Sequence, residues 1–256
     1  IERKTDYPRD RLEFVIVDND SQTTEATRYF ADLGSRIGFR ILCAPGEFNF
    51  ARLYNLGASG ASGEVVILLN NDMTVIDPQW ISKMIAQCLQ PDVACVGAKL
   101  LYPDDTIQHA GCVLGVSGLA AHRLLGRPAS SVRDIDFTRE ISAVTGACIA
   151  IRRSVFNELG GLNEGLRIAF NDIDFCIAAQ RRGFRNIYIC DPLLYHFESK
   201  SRGLDTTRAK IELNAREAAY AITARTCPLS GATNSPFLPG ATSLGCGVSR
   251  PERERS

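Results

Sequence analysis

Apolar residues in this chain come in short runs that end abruptly in polar turns, and between the runs they recur every three or four positions. Residues 13–18 (EFVIVD) form the first run; NDSQTT breaks it, and TEATRYFADLG then carries helical spacing up to a stop at Gly34. The cycle repeats. GFRILCA predicts a strand, NFARLYNLGAS a helix, and GEVVILLNND a buried strand whose polar residues all arrive at its C-terminal end. Asp77-Pro78 opens a further helix over QWISKMIAQCLQ. Strands alternating with helices of this length predict βαβ units, an α/β fold on a mostly parallel central sheet, and ligands held at the carboxyl ends of the strands.

After Pro91 the pattern changes. VACVGAKLLY, a turn at Pro103-Asp104-Asp105 and TIQHAGCVLGVSG predict shorter strands and loops, a mixed β region beyond the parallel half. SAVTGACIAIRR reads as another buried strand. Ser154 is placed to cap a short helix, VFNEL, that Gly160-Gly161 ends, and Asn171 to cap the helix DIDFCIAAQRR, which stops at Gly183. FRNIYICDP is the last strand, and residues 205–225 read as a long polar helix. In residues 227–256 Gly, Pro, Ser and Thr supply half of the positions without periodicity, so the expectation is one domain over 1–226 and a disordered tail over 227–256.

Charge narrows the function. With 29 Lys+Arg against 29 Asp+Glu there is no basic excess to neutralise phosphates, which excludes nucleic acid as the partner. The longest aliphatic run, Val65 to Leu69, is far below the ~18 residues of a membrane span. Nine cysteines without a C-x-x-C pair sit mostly in apolar stretches and read as reduced, buried thiols of a cytosolic protein.

Several strand and helix ends carry candidate chemistry. Asn70-Asn71-Asp72 brings a carboxylate to the crevice, where it could hold Mg²⁺ or Mn²⁺ beside substrate phosphates, or merely close the strand with a solvated turn. Asp18 ends the first strand, and turn hydrogen bonds explain its neighbours Asn19, Asp20 and Ser21 as well. Gly57, Gly60 and Gly63 follow a helix and precede a strand, the reverse of a phosphate loop, and read as a helix cap. Asp172 and Asp174 stand in the first turn of a helix, either complementing its dipole or offering a general base. For His109, His122 and His196, each at the end of an apolar run, a buried hydrogen-bonded side chain is the simpler reading.

Taken together, VIVDNDS, FNFARLYNLGASGASGEVVILLNNDMTVIDPQW, VGAKLLYPDDTIQHAG, TGACIAIRRSVFNELGGLNE, FNDIDFC and LYHFESKSRGLD resemble, in order and spacing over residues 1 to about 225, the bacterial family-two glycosyltransferases of the A-type fold. The resemblance extends especially to the rhamnosyltransferase-like members that build O-antigen and capsular glycans. The resemblance implies inverting transfer of a single sugar from a nucleoside diphosphate sugar to a glycan or lipid-linked glycan acceptor, with a divalent cation (Mg²⁺ or Mn²⁺). It makes Asp18 the contact to the nucleotide base and Asp72 the last carboxylate of the D-x-D cation motif. Asn70 and Asn71 fill the other two positions of that motif, Asn70 in place of its first Asp. Asp172 matches the catalytic base of the E-D motif, with Asn171 replacing the usual acidic neighbour, and His196 matches a histidine that reaches the metal or diphosphate. The Q-x-x-R-W motif of processive synthases is absent, which points to single additions. The family opens with a strand and helix, so the first strand and most of the first helix are expected to be missing from 1–226 and the chain to be part of a longer protein. The implied setting is cell-surface polysaccharide synthesis in the cytoplasm, at the inner face of the membrane. A sugar nucleotidyltransferase and a non-catalytic nucleotide- or partner-binding domain stay open as alternatives.

Overall fold

The computed structural model describes residues 1–115, 120–133 and 136–197; the helix expected over 205–225 and the tail over 227–256 lie outside the described residues. The first unit is β1 (Phe14–Asp18), α1 (Thr24–Gly34) and β2 (Phe39–Cys43), with β1 and β2 paired in parallel. Thr23 starts α1 by accepting the Ala26 N–H on its hydroxyl at 3.2 Å. Asn49 does the same for α2 (Phe50–Gly60), its Oδ1 accepting the Arg52 N–H at 3.0 Å. Gly57 and Gly60 do not follow this helix as a cap. They lie within its last turns, where a Cβ on Gly60 would stand 2.9 Å from Leu42 Cδ1, so their absence of side chain lets α2 lie close on β1 and β2.

The larger sheet contains β3 (Val65–Leu69), β4 (Met73–Val75), β5 (Val93–Leu101), β10 (Cys148–Arg152) and β11 (Arg185–His196) in the order β3-β10-β5-β11-β4. Two short strands extend it, β6 (Ile107–His109) on β5 and β9 (Arg139–Ile141) on β11. The expected parallel course holds for β3, β5 and β11, while β10 runs against both β3 and β5 and the short strands are antiparallel to their neighbours. The reversal of β10 has a local cause. Ala147 already meets the carboxyl end of β3 through its carbonyl and the Asn70 N–H at 2.9 Å, so the chain can only run back from there. SAVTGA is accordingly a loop, and the strand expected across 142–153 is confined to 148–152. A separate hairpin, β7 (Cys112–Leu114) with β8 (Ala120–His122), completes the mixed region.

Helices cover the two faces of this sheet. From α3 (Trp80–Cys88), Trp80, Ile81, Met84 and Cys88 pack on Val96, Ala98, Leu100 and Ile187; from α5 (Asn171–Arg181), Ile173, Phe175 and Cys176 pack on Cys95, Ile149 and Ile151. Between them all nine residues of β5 are buried, which is why that strand reads as a continuous apolar run. Five of the seven described cysteines are buried free thiols, as expected, and burial pushes the Cys88 thiol up to about 12. Among the described residues no helix is long and apolar enough to cross a membrane.

Two helix starts differ from expectation. Helix α4 (Arg153–Glu158) begins one residue before Ser154, because the Arg153 N–H is taken by the Glu64 carbonyl at 2.8 Å and Arg152 stands at the cap position. Phe170, not Asn171, stands at the cap position of α5, without a side-chain cap; Asn171 is buried and turns its amide to the Leu166 carbonyl at 3.4 Å.

Candidate functional site

Strand β3 loses its apolar character where it leaves the sheet, and its next three residues make the turn that leads into β4. Asn70 is held from three sides. Its N–H goes to the Ala147 carbonyl, its Oδ1 accepts the Tyr54 hydroxyl at 2.9 Å, and its Nδ2 lies 3.5 Å from His196 Nε2. Burial, with Cys148 and Asp72 nearby, pushes the Tyr54 hydroxyl far above its ordinary range, so it stays a donor. Asp72 projects from the turn after β3, its carbonyl accepting the Phe197 N–H at 2.9 Å. Its Oδ1 lies 3.3 Å from His196 Nε2, with side-chain exposures of 15% and 5%. That Oδ1 is buried without a hydrogen-bond partner among the described residues. A buried carboxylate oxygen and an imidazole nitrogen facing one another at this distance could share a divalent cation, the carboxylate being the ligand that favours a hard ion such as Mg²⁺ or Mn²⁺.

The loop 142–147 ties this strand end to α5. The Gly146 N–H donates to Asp172 Oδ2 at 2.7 Å, and the Ile173 N–H to Asp172 Oδ1 at 2.8 Å. Both oxygens of Asp172 are thus oriented by backbone. Phe170, two residues earlier, has φ +62°, a left-handed conformation that costs a bulky residue about 1–2 kcal/mol and sets where α5 begins. Asp174 follows on α5, with its N–H bonded to the Phe170 carbonyl at 2.8 Å.

Asp72 and Asn70 both reach His196 Nε2, and Asp172 is linked to this group through adjacent residues of one loop, Gly146 and Ala147. Asp18 and Asn71 do not join the group: no hydrogen bond or ion pair links either to Asp72 or His196 among the described residues. Asp18 Oδ1 accepts the Ser21 N–H at 3.0 Å, a turn bond, and Asn71 is exposed. Sequence reasoning missed Tyr54, Gly146 and the partners of His109. Burial, then His122 and His196, push the His109 ring well below its ordinary range. His109, Cys112 and His122 bring possible metal-ligand atoms within 4.8 Å of one another. The spacing Gln108-His109-Ala110-Gly111 was the available signal, a histidine two residues before a glycine.

The sequence profile described as Glycosyl transferase family 2 matches residues 1–160, which include Asp18, Asn70–Asp72 and Gly146. Over 214 residues the chain is 41% identical to the uncharacterized protein y4gI of Sinorhizobium fredii (strain NBRC 101917 / NGR234), a match covering 82% of this chain and 24% of that protein. It is 35% identical over 208 residues to the O-antigen biosynthesis protein RfbC of Myxococcus xanthus, covering 79% of this chain and 16% of that protein. The chain therefore spans a quarter or less of the length of these two relatives. Among solved structures it resembles that of GalNAc-T7 with UDP, GalNAc and Mn²⁺, at 17% identity and a TM-score of 0.65, covering 85% of this chain and 43% of that one. This likeness shows the shared A-type fold. With a family profile running through more than half of its residues, from β1 past the loop that holds Asp172, the chain belongs to glycosyl transferase family 2.

Proposed function

We propose that the chain transfers a single sugar, with inversion, from a nucleoside diphosphate sugar to a hydroxyl of a glycan or lipid-linked glycan, in the synthesis of a cell-surface polysaccharide. The observation that carries this reading is the buried Asp72 Oδ1 set 3.3 Å from His196 Nε2 at the mouth of β3. An orphaned buried carboxylate oxygen is costly unless a charge satisfies it, and Asp72 with His196 would hold Mg²⁺ or Mn²⁺ there. A bound cation of this kind stabilises the charge on a departing diphosphate. Relatives support the chemistry: one solved neighbour holds UDP and Mn²⁺, and one sequence relative is named for O-antigen biosynthesis.

Asp172 takes the proton from the acceptor hydroxyl as that oxygen attacks the anomeric carbon. One carboxylate base and no nucleophile means one displacement, hence inversion. Asn70 keeps its place through Tyr54 and Ala147 and so fixes the turn that carries Asp72. Asp18 contacts the base from the β1 end and Asn71 the sugar nucleotide. The site works in the cytoplasm, at the inner face of the membrane.

The test is a panel of nucleoside diphosphate sugars in thermal shift with and without Mn²⁺, followed by transfer assays with the donor that stabilises most. Release of pyrophosphate from a nucleoside triphosphate instead would make it a nucleotidyltransferase. Binding without transfer or donor hydrolysis would make it a binding domain.

A further inference from the structure

We propose that His109 is a positioning residue for Asp172, acting as a fixed acceptor for the backbone of the loop that orients it; this rests on the reading of Asp172 as the base. The Gly111 N–H points back at His109 Nε2, 3.2 Å away, and Gly111 itself, at φ +87°, turns the chain that follows. A Cβ at this position would come within 2.7 Å of Ile141 Cγ1, so both the bend and the space call for glycine. The Thr145 N–H reaches the same Nε2 at 3.4 Å. Two N–H donors aimed at one ring nitrogen require a lone pair there. The proton of the neutral ring is then on Nδ1, which lies 3.0 Å from His122 Nδ1 and donates to it.

Thr145 and Gly146 are successive residues, and their N–H groups go to His109 and to Asp172 Oδ2 respectively. Holding the first sets the direction of the second. His109 is fully buried, and the Cys112 N–H fastens the same loop at the Ala143 carbonyl, 2.8 Å away. A different use of these side chains is a transition-metal site, since Cys112 Sγ is 3.9 Å from His122 Nδ1. The backbone argues against it. A cation on His109 Nδ1 would move the ring proton to Nε2, directly against the N–H groups of Gly111 and Thr145.

Three histidines make the chain suited to selective ¹⁵N-histidine labelling. The expected spectrum at pH 7.5 shows one ring with a protonated Nδ1 and a bare Nε2, and its signals vanish in His109→Gln. The Gly146 amide proton, donated to a carboxylate, should lie downfield, move upfield in His109→Phe and return in His109→Gln, whose Oε1 can accept in place of Nε2. In transfer assays His109→Phe should lower kcat by about tenfold or more with little change in donor KM, and His109→Gln should recover most of it. An Nε2-protonated His109 in the unmutated chain, stoichiometric zinc retained on purification, or a Gly146 amide unmoved by His109→Phe would each overturn the proposal. The first two need no variant to fold. The spectra need no sugar donor, so failure of the transfer reading is seen separately, as absence of turnover with the spectra intact.

Discussion

Replacing Asp172 with Asn is the natural test of the base, and the structure shows that the change does more than remove a proton acceptor. Asp172 receives two backbone N–H groups, from Gly146 at 2.7 Å and Ile173 at 2.8 Å, one on each oxygen. Asn has a single oxygen. It can keep one of these bonds only by turning its NH₂ toward the other donor, losing a hydrogen bond to a charged group of about 1.5–3 kcal/mol. Removing a negative charge from the first turn of α5 adds about 0.3–1 kcal/mol. A total near 2–4 kcal/mol lowers the melting temperature by roughly 2–4 °C for each kcal/mol in a domain of this size. Turnover should fall about 10²- to 10⁴-fold while Mn²⁺-dependent nucleotide affinity barely moves. Asp174→Asn should cost stability and leave turnover near the parent value. The measurements are thermal melts, calorimetric titration with a nucleoside diphosphate, and transfer rates for both variants. An Asp172→Asn protein that melts like the parent would show that the two N–H bonds do not hold the carboxylate. Intact turnover in Asp172→Asn with loss in Asp174→Asn would reverse the two roles.

Asp72→Ala should abolish the enhancement of nucleoside diphosphate binding by Mn²⁺, and an equal enhancement in variant and parent by calorimetry would remove Asp72 from the cation site. Gly97→Ala places a Cβ 2.4 Å from Val144 Cβ in the loop that orients Asp172, so it should destabilise by about 1–3 kcal/mol. The loss should shrink in a Val144→Ala background; the same loss in both backgrounds would mean the strain lies elsewhere. His109 is held neutral in the fold, its ring pushed below the ordinary value of ~6.5, so below that pH the unfolded chain takes up a proton that the folded chain does not. Stability should therefore fall as pH drops from 7.5 to 5, by at most about 1.4 kcal/mol per pH unit from this group. His109→Gln should show a shallower decline in melting temperature, and identical slopes would contradict the assignment.

The strand-end chemistry was legible because burial forbids polar residues along β3 until the chain leaves the sheet, so the step from Leu69 to Asn70-Asn71-Asp72 marks the crevice in the sequence itself. The repeat of strand and helix through residue 90 was legible for the same reason. The start of α5 was not. Asn171 has the right chemistry for a cap, but Phe170 in a left-handed conformation moves the boundary by one residue, and nothing in the local sequence announces that conformation. The loop 142–147 read as strand because the β-branched Val144 and Thr145 run on into the apolar stretch 147–151. What makes it a loop is non-local: Val144 over Gly97, Thr145 on His109, Gly146 on Asp172. His109 looked solitary because two of its three partners, His122 and Thr145, are 13 and 36 residues away.

The division between the β1–β2 pair and the larger sheet has a consequence for how the chain opens. Among the described residues no ladder joins the two; α2 lies against both, and Glu13 Oε1 accepts the Gly63 N–H at 2.8 Å. Every residue of β1 is half-buried, whereas every residue of β5 is buried. Cooperative units follow such seams, so amides of β1 and β2 should exchange with solvent through a cheaper opening than those of β5, β10 and β11. Asp18 sits on one side of the seam and Asp72 on the other. A ligand that touches both couples two exchange units into one, and raises the opening free energy of the weaker by RT ln(1 + [L]/Kd). Occupancy would then register as the disappearance of a difference in protection between two halves of the chain, with no atom needing to move far.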